Sequence, residues 1–238
     1  MQTDRSAFKI ITFFLIAVIT AAAPIFWNTP AAAEAPIKQT ALVDEALVTL
    51  NNLLSDPSMT WFHNNVKDAK GLLIIPELIK AGFVFGTSGG RGVLFVRNEK
   101  TGHWNGPAFY MLGSISLGFQ IGVKKSELIM MVMSPKGLNP LYDSSFKLGG
   151  EASVAAGPVG AGAEGATATN LSADYLSFAR SKGAFIGLSV KGAYVYADGE
   201  WNGAYYGKLV TPTDILVSGT INNPQADKLR QAVEKATQ

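Results

Sequence analysis

The stretch AKGLLIIPELIKAGFVFGTSGGRGVLFVR, residues 69–97, decides the fold of this protein. Leu72–Ile75 is a continuous apolar run that ends at a proline, which is typical of a buried strand. Phe83–Phe85 predicts a second strand and Val93–Arg97 a third. Between them, Gly86–Gly92 is rich in glycine and predicts a turn with positive φ angles. The alternative is an anion-binding turn, in which backbone N–H groups and Arg91 would hold the ligand.

The rest of the chain predicts more strands in the middle and helices at both ends. Apolar residues at helical spacing predict helices at Ile37–Leu54, from Pro57 to about Asp68, and at Gln225–Ala236. Capping residues predict short helices that begin at Thr211 and Asn223, and residues 134–142 fit a short helix or a loop. Further strands are predicted at Ala108–Leu112, Leu117–Val123, Leu128–Met133, Phe146–Ala156, Gly160–Thr167, Tyr175–Ala179, Phe185–Val190 and Ala193–Ala197. We therefore predict an α+β fold: a single domain with a curved, mostly antiparallel β-sheet core and helices at the N- and C-terminal ends.

Residues 1–33 have the pattern of a secretory signal peptide. A weakly basic start precedes the apolar run Ile10–Ala23, and an A-x-A pattern ends at Ala33. A transmembrane anchor is the alternative, but a span needs about 20 apolar residues, and Pro24 interrupts this run. We expect cleavage after Ala33, which leaves residues 34–238 as a periplasmic or secreted protein that associates with a membrane.

The composition excludes several classes of protein. The 238 residues include 20 Lys and Arg against 18 Asp and Glu, a net charge of +2. This balance argues against a nucleic-acid partner, which would select a strong basic excess. The absence of cysteine excludes disulfides, thiol catalysis and an N-terminal lipid-modified cysteine. The mature chain of 238 − 33 = 205 residues is long enough for one well-buried domain.

Candidates for catalysis or cofactor binding are few. His63 and His103 are the two histidines, and they lack the spacing of a zinc site. The motif at residues 160–165 has the form G-x-G-x-x-G, but no helix pattern follows it, so a tightly packed strand is the better interpretation. Glu151 and Glu164 would form an acid pair if their strands were neighbours, which is the basis for an alternative as a hydrolase. We predict no enzyme activity, no metal and no cofactor.

Basic residues accompany the apolar strands at several positions. As isolated edge charges they would protect strands from mispairing. Gathered on one face, they would attract anionic lipid by about 1 kcal/mol per cation. The residues concerned are Lys80, Arg91, Lys124, Lys125, Lys136, Arg180, Lys182 and Lys191.

Several separated segments resemble the SYLF domain family. In chain order they are AKGLLIIP, KAGFVFGTSGGRGVLFVR, GFQIGV, KLGGEASVAAGPVG and SKGAFIGLSVKGA, and the resemblance extends from about Thr40 to the end. It implies a lipid-binding fold. Eukaryotic members bind phosphoinositides with the help of a basic amphipathic N-terminal helix, and fungal relatives bind actin. The matching helix here, Ile37–Leu54, carries Lys38 against Asp44 and Glu45, and export would separate the protein from actin.

The residues and the resemblance together predict an exported, non-enzymatic protein that binds anionic phospholipid at an envelope membrane. Leu47 and Leu50 of the first helix are expected to insert into lipid. Arg91, Lys124 and Lys125 are expected to contact headgroup phosphates.

An outer-membrane β-barrel is the alternative from another structural class. Glycine-rich strands such as Lys147–Gly157 favour it. The predicted C-terminal helix and the continuously apolar run Leu128–Val132 argue against it, because the strands of such barrels alternate.

Overall fold

A curled, mostly antiparallel sheet forms the centre of the structure. The computed structural model describes residues 37–82, 85–117, 122–143, 145–150, 152–160 and 172–238, and within these ranges the sheet has nine strands. They are β1 (Gly71–Gly82), β2 (Phe85–Arg97), β3 (Trp104–Leu117), β4 (Gly122–Val132), β5 (Ser145–Lys147), β6 (Val154–Ala156), β7 (Tyr175–Ser181), β8 (Ala184–Gly187) and β9 (Tyr194–Ala197). Eight strands follow the order β5-β9-β3-β2-β1-β4-β7-β6, and β8 pairs with β7. Among these strand pairs β6–β7 is parallel and the others are antiparallel.

Helices from both ends of the chain pack on this sheet, so the predicted α+β fold is confirmed. They are α1 (Ile37–Ser55), α2 (Thr60–Asn65), α3 (Pro135–Tyr142), α4 (Gly199–Tyr206), α5 (Pro212–Leu216) and α6 (Asp227–Ala236). As the sequence predicts, Thr211 begins α5 with a capping box that it forms with Asp214. Within the described ranges, no helix combines the length and the apolar character that crossing a bilayer requires.

Alternation along the strands divides the core into two layers. Leu72 and Phe95 belong to the layer that α1, α2, α4 and α6 cover, and Leu73 belongs to the layer that includes α3 and α5. Phe146 of β5 stacks on Tyr175 of β7 with ring centroids 5.8 Å apart, although these strands lie near opposite ends of the strand order. The sheet therefore curls around the second layer. We call the face toward this layer the inner face and the face toward the first layer the outer face.

The glycine-rich segment Gly86–Gly92 is part of strand β2 and is not a turn. None of its glycines has a positive φ, and β1 is bulged beside it. A Cβ atom on Gly90 would lie 2.5 Å from the carbonyl oxygen of Glu77, and one on Gly92 would lie 2.4 Å from that of Ile74. The prediction of a positive-φ turn, and with it of an anion-binding turn, was wrong. Glycine is needed at Gly90 and Gly92 because the two backbones approach closely there.

Three other elements differ from the sequence predictions. The prediction of one strand over Leu117–Val123 was wrong, because β3 ends at Leu117 and β4 begins at Gly122. The predicted strand Phe146–Ala156 is broken into β5 and β6, with Gly149 at a φ of 80° between them. Helix α4 was not predicted, although Asp198 is a residue type that commonly caps a helix. In the structure its carboxylate accepts a hydrogen bond from the backbone N–H of Trp201 at 3.1 Å. The signal-peptide prediction for residues 1–33 lies outside the described residues, as do Phe83 and Val84 and residues 161–167.

Two residues of α1 test how the helix packs. Leu50 is fully buried in the outer core layer, so Leu50→Ala is expected to lower the free energy of unfolding by about 2–5 kcal/mol. Val48 is 58% exposed, and Val48→Ala is expected to change this free energy by less than about 0.5 kcal/mol. Denaturant titration measures both values. Similar losses in the two variants would contradict the placement of α1.

Candidate functional site

Strands β1 to β4 continue as a ribbon whose two faces are partly exposed, and this ribbon is the candidate site. We call it the free end; it comprises residues 79–82, 85–89, 113–117 and 122–125. Its strands stay paired almost to their tips, since Gly82 is opposite both Gly86 and Gly122. Just before the free end, α1 contacts β4: the Asn52 amide donates a hydrogen bond to the Glu127 carboxylate at 3.2 Å.

Four polar side chains form one row across the inner face of the free end. Lys124 is directly opposite Lys80, Lys80 is opposite Ser88, and Ser88 is opposite Ser114. The hydroxyl oxygens of the two serines are 2.7 Å apart. We call these four residues the basic row. The adjoining row toward the strand tips consists of Gly122, Gly82, Gly86 and Ser116, so three of its four positions carry no side chain.

The basic row holds two like charges side by side. Partial burial, together with the charge of Lys124, lowers the pKa of the Lys80 ammonium. Of the carboxylates in the described part of the chain, none forms an ion pair with Lys80 or Lys124. Like charges directly opposite each other on neighbouring strands cost about 0.2–1 kcal/mol. An anion bound at this row would remove that cost.

The outer face of the free end is mainly apolar. Val123 is 68% exposed and Ile79 is 38% exposed, and Ala81 lies directly opposite Val123. Lys125 is opposite Ile79 on this face, and its Nζ lies 2.6 Å from a carboxylate oxygen of Glu77. The free end thus presents two lysines and two serines on one face, and on the other face mainly apolar side chains together with the Lys125–Glu77 ion pair.

The structure gives the three predicted cations different surroundings. Arg91 donates a hydrogen bond from Nε to Asp198 at 2.9 Å, and its guanidinium lies 4.4 Å from the centre of the Trp201 ring. It therefore helps to hold α4 on the sheet. Lys125 pairs with Glu77, as described above, while Lys124 belongs to the basic row. The sequence does not predict Lys80 as a site residue, because only the register of β1 and β4 places it beside Lys124.

The two leucines predicted to insert into lipid face the core. Leu50 is fully buried, and Leu47 is partly buried against the same layer. Insertion of Leu50 is incompatible with this conformation, because its side chain already packs between α1 and the sheet. The exposed large apolar residues of α1 are Ile37 and Val48.

The candidates for catalysis are not brought together. The Nε2 atom of His63 lies 3.1 Å from the carbonyl oxygen of Leu53, whereas His103 is exposed near Glu234. Glu151 and Glu164 lie outside the described residues, so the acid-pair alternative is not tested. In the described ranges, no three acidic or histidine side chains cluster in a way that could hold a metal ion.

Comparison with known proteins places this fold in a family. Residues 113–236 match the family described as "Ysc84: Las17-binding protein actin regulator". The chain is 30% identical over 174 residues to human SH3 domain-containing YSC84-like protein 1, covering 73% of this chain and 50% of that protein. It is 33% identical over 172 residues to Protein YSC84 of Saccharomyces cerevisiae, covering 71% and 36%. This chain belongs to the Ysc84 family.

The Ysc84 match confirms the resemblance to SYLF domains that the sequence motifs indicated. A third relative, LAS seventeen-binding protein 3 of Saccharomyces cerevisiae, is 34% identical over 173 residues, covering 71% of this chain and 37% of that protein. The chain thus spans half or less of the length of these curated relatives. The family match begins at Gly113 and includes Ser114 and Lys124, whereas Lys80 and Ser88 precede it.

The opposed lysines generate a prediction about stability. Folding lowers the pKa of Lys80, so the charged form of this lysine reduces the free energy of unfolding at pH 7. This reduction disappears as the pH rises past the pKa of about 10.4 that lysine has in the unfolded chain. Lys124→Gln is therefore expected to raise the free energy of unfolding at pH 7 by about 0.2–1 kcal/mol. It should also raise the pKa of Lys80, which NMR titration of the lysine side chains measures.

Lys125→Gln is the matched control for this substitution. Lys125 is the next residue on the same strand, but its ammonium is paired with Glu77. Its replacement should give no gain in stability in the same denaturant titration. A loss of stability in Lys124→Gln would contradict the repulsion inferred for the basic row.

Proposed function

We propose that this Ysc84-family protein binds anionic phospholipid at a membrane surface through the free end of its sheet, and that it does so without catalysis. The observation that carries this proposal is the opposed pair Lys80 and Lys124, which lies in one row with two hydroxyl groups. Lipid phosphate would supply the missing counter-charge. A cation near an anionic membrane surface gains about 1 kcal/mol.

The apolar outer face of the free end supports contact with a membrane. Val123 and Ile79 are exposed there, and full burial of such a side chain is worth about 1.5–3 kcal/mol. Headgroup attraction on one face and apolar contact on the other are the two contributions that peripheral membrane proteins combine.

The cellular setting is part of the same proposal. The signal-peptide pattern of residues 1–33 supports export and a periplasmic or secreted location at an envelope membrane. The family description, which names actin regulation, favours actin as a second candidate partner. Phospholipid vesicles and actin filaments can each be sedimented, so one centrifugation assay compares the two candidate partners.

Co-sedimentation with vesicles tests the headgroup contribution. The protein is expected to sediment with phosphatidylcholine vesicles that contain phosphatidylglycerol, less so at high salt, and not with phosphatidylcholine alone. Lys80→Glu combined with Lys124→Glu should abolish this binding. The control, Lys228→Glu with Lys235→Glu, makes the same change in net charge on an exposed face of α6 and should bind like the unmodified protein.

Several outcomes would count against this proposal. An equal loss in both charge variants would indicate attraction by net charge alone rather than by the basic row. Vesicle binding that is equally strong at low and high salt would contradict the electrostatic contribution. Sedimentation with filamentous actin but with no vesicle would favour the second candidate.

A matched pair of aspartate substitutions tests the apolar contribution. Val123→Asp on the free end is expected to weaken vesicle binding about tenfold or more, because a charge would replace an inserted side chain. Val48→Asp, at a similarly exposed position on α1, should leave the affinity unchanged. The reverse result would transfer the membrane contact from the sheet to α1. Circular dichroism checks that both variants are folded.

A further inference from the structure

The outer face of the sheet contains a groove with a glycine floor. One continuous row of directly opposed residues crosses six strands there, in the order Lys147, Tyr194, Gly113, Gly89, Ile79 and Lys125. The two central positions have no side chain, whereas Tyr194 on one side is 52% exposed and Ile79 on the other is partly exposed. The backbones of Tyr194 and Ile79 are three strand spacings apart, about 14 Å. We call this the glycine groove.

The fold itself does not require glycine at the floor of the groove. A Cβ atom on Gly89 would have its nearest neighbour at 3.6 Å, and one on Gly113 at 4.0 Å, and neither residue has a positive φ. Gly90, which the bulge of β1 crowds, is different in this respect. Glycine inside a strand costs about 0.5–1 kcal/mol. Where packing does not explain it, glycine often marks a place that a ligand approaches closely.

The groove has one cationic end and one apolar end. Arg91 lies two residues from Gly89 on the same strand and face, next to Trp201 of α4. In the other direction the next position of β2 on this face is Thr87, which is opposite Ala81, and Ala81 is opposite the exposed Val123. Arg91 and Thr87 are four residue spacings apart along the extended strand, a length of about 13 Å.

The guanidinium of Arg91 has donors left for a ligand. The guanidinium carries five N–H groups. Within the described part of the chain, the hydrogen bond that it donates runs from Nε to Asp198. Arg91 with Asp198 and Lys125 with Glu77 are both neutral pairs, so Lys147 leaves the rim of the groove with a positive charge. This balance favours an anion, and a guanidinium fork suits a carboxylate.

We propose that the glycine groove binds a single-chain carboxylate amphiphile, a fatty acid. Its carboxylate accepts hydrogen bonds from the terminal nitrogens of Arg91. Its chain lies over Gly89 and Gly113, between the ring of Tyr194 and the side chain of Ile79. The end of the chain points toward Ala81 and Val123. The polar contact of this site, Arg91, is on the face opposite the basic row, so the carboxylate does not use the lysines proposed to contact headgroups, although the groove shares Ile79 with the apolar face proposed for membrane contact.

Titration with decanoate, followed by amide NMR, tests the site. Decanoate is expected to shift the amide signals of Gly89 and Gly113 in a saturable manner. The neutral analogue 1-decanol should bind at least about tenfold more weakly, because it lacks the charge-assisted bond to Arg91. Equal affinities for the two probes would overturn the assignment of the carboxylate to Arg91.

Substitutions that fill the groove give the decisive test, because they are expected not to lower the stability of the fold. Gly89→Val with Gly113→Val is expected to abolish decanoate binding, while the melting temperature stays equal or rises, since valine favours strands. Ser145→Val, on the edge strand β5 beyond Tyr196, is the control and should bind normally. Should the double valine variant not fold, Gly89→Ala offers a milder filling and is expected to weaken binding with the fold intact.

The same variants separate this site from the vesicle-binding site. Lys80→Glu with Lys124→Glu, which removes the proposed headgroup contact, should still bind decanoate. Retained decanoate binding in a folded double valine variant would overturn the inference. Loss of decanoate binding only in the lysine variant would place the ligand on the inner face and would overturn it as well.

Discussion

The close contact between bulged β1 and the glycines of β2 is the constraint on which the rest of the structure depends. Gly90 and Gly92 lie against the backbone of β1 at distances that exclude any side chain. The bulge resets the register of the residues that follow it in β1. A slip by one residue would move Lys80 to the other face of the sheet. The opposition of Lys80 to Lys124, and so the basic row, depends on the register that β1 has after the bulge.

The two faces of the free end acquire different chemistry because strands alternate. On the inner face, Lys80 and Ser88 meet their counterparts on β4 and β3. On the outer face, Ile79 and Val123 are left exposed where the helices stop covering the sheet. The ion pair of Arg91 with Asp198 helps to set that boundary, because it ties the start of α4 to β2. Helix packing therefore determines how much of the ribbon remains available to a partner.

Membership of the Ysc84 family and the geometry of the site answer different questions. The family match and the identities to YSC84-like proteins establish the ancestry of this fold. The matched segments cover half or less of the length of those relatives, so the unmatched segments of the relatives say nothing about this chain. The proposals of lipid and fatty-acid binding depend instead on the residues that the free end brings together. Their polar contacts lie on opposite faces of one ribbon, so the headgroup contact and the carboxylate contact can be tested separately.

The sequence by itself determined the α+β class, the terminal helices and the family, because periodicity, caps and motifs are properties of neighbouring residues. Only the tertiary structure decided which charges meet. Arg91 and Asp198 are 107 residues apart in the chain, and Lys80 finds Lys124 through strand register. It likewise decided that Leu50 is core and that Gly86–Gly92 is a strand, since glycine tolerates positive φ and close backbone contact alike. No local pattern distinguishes these cases, because each depends on which distant segment packs against the residue.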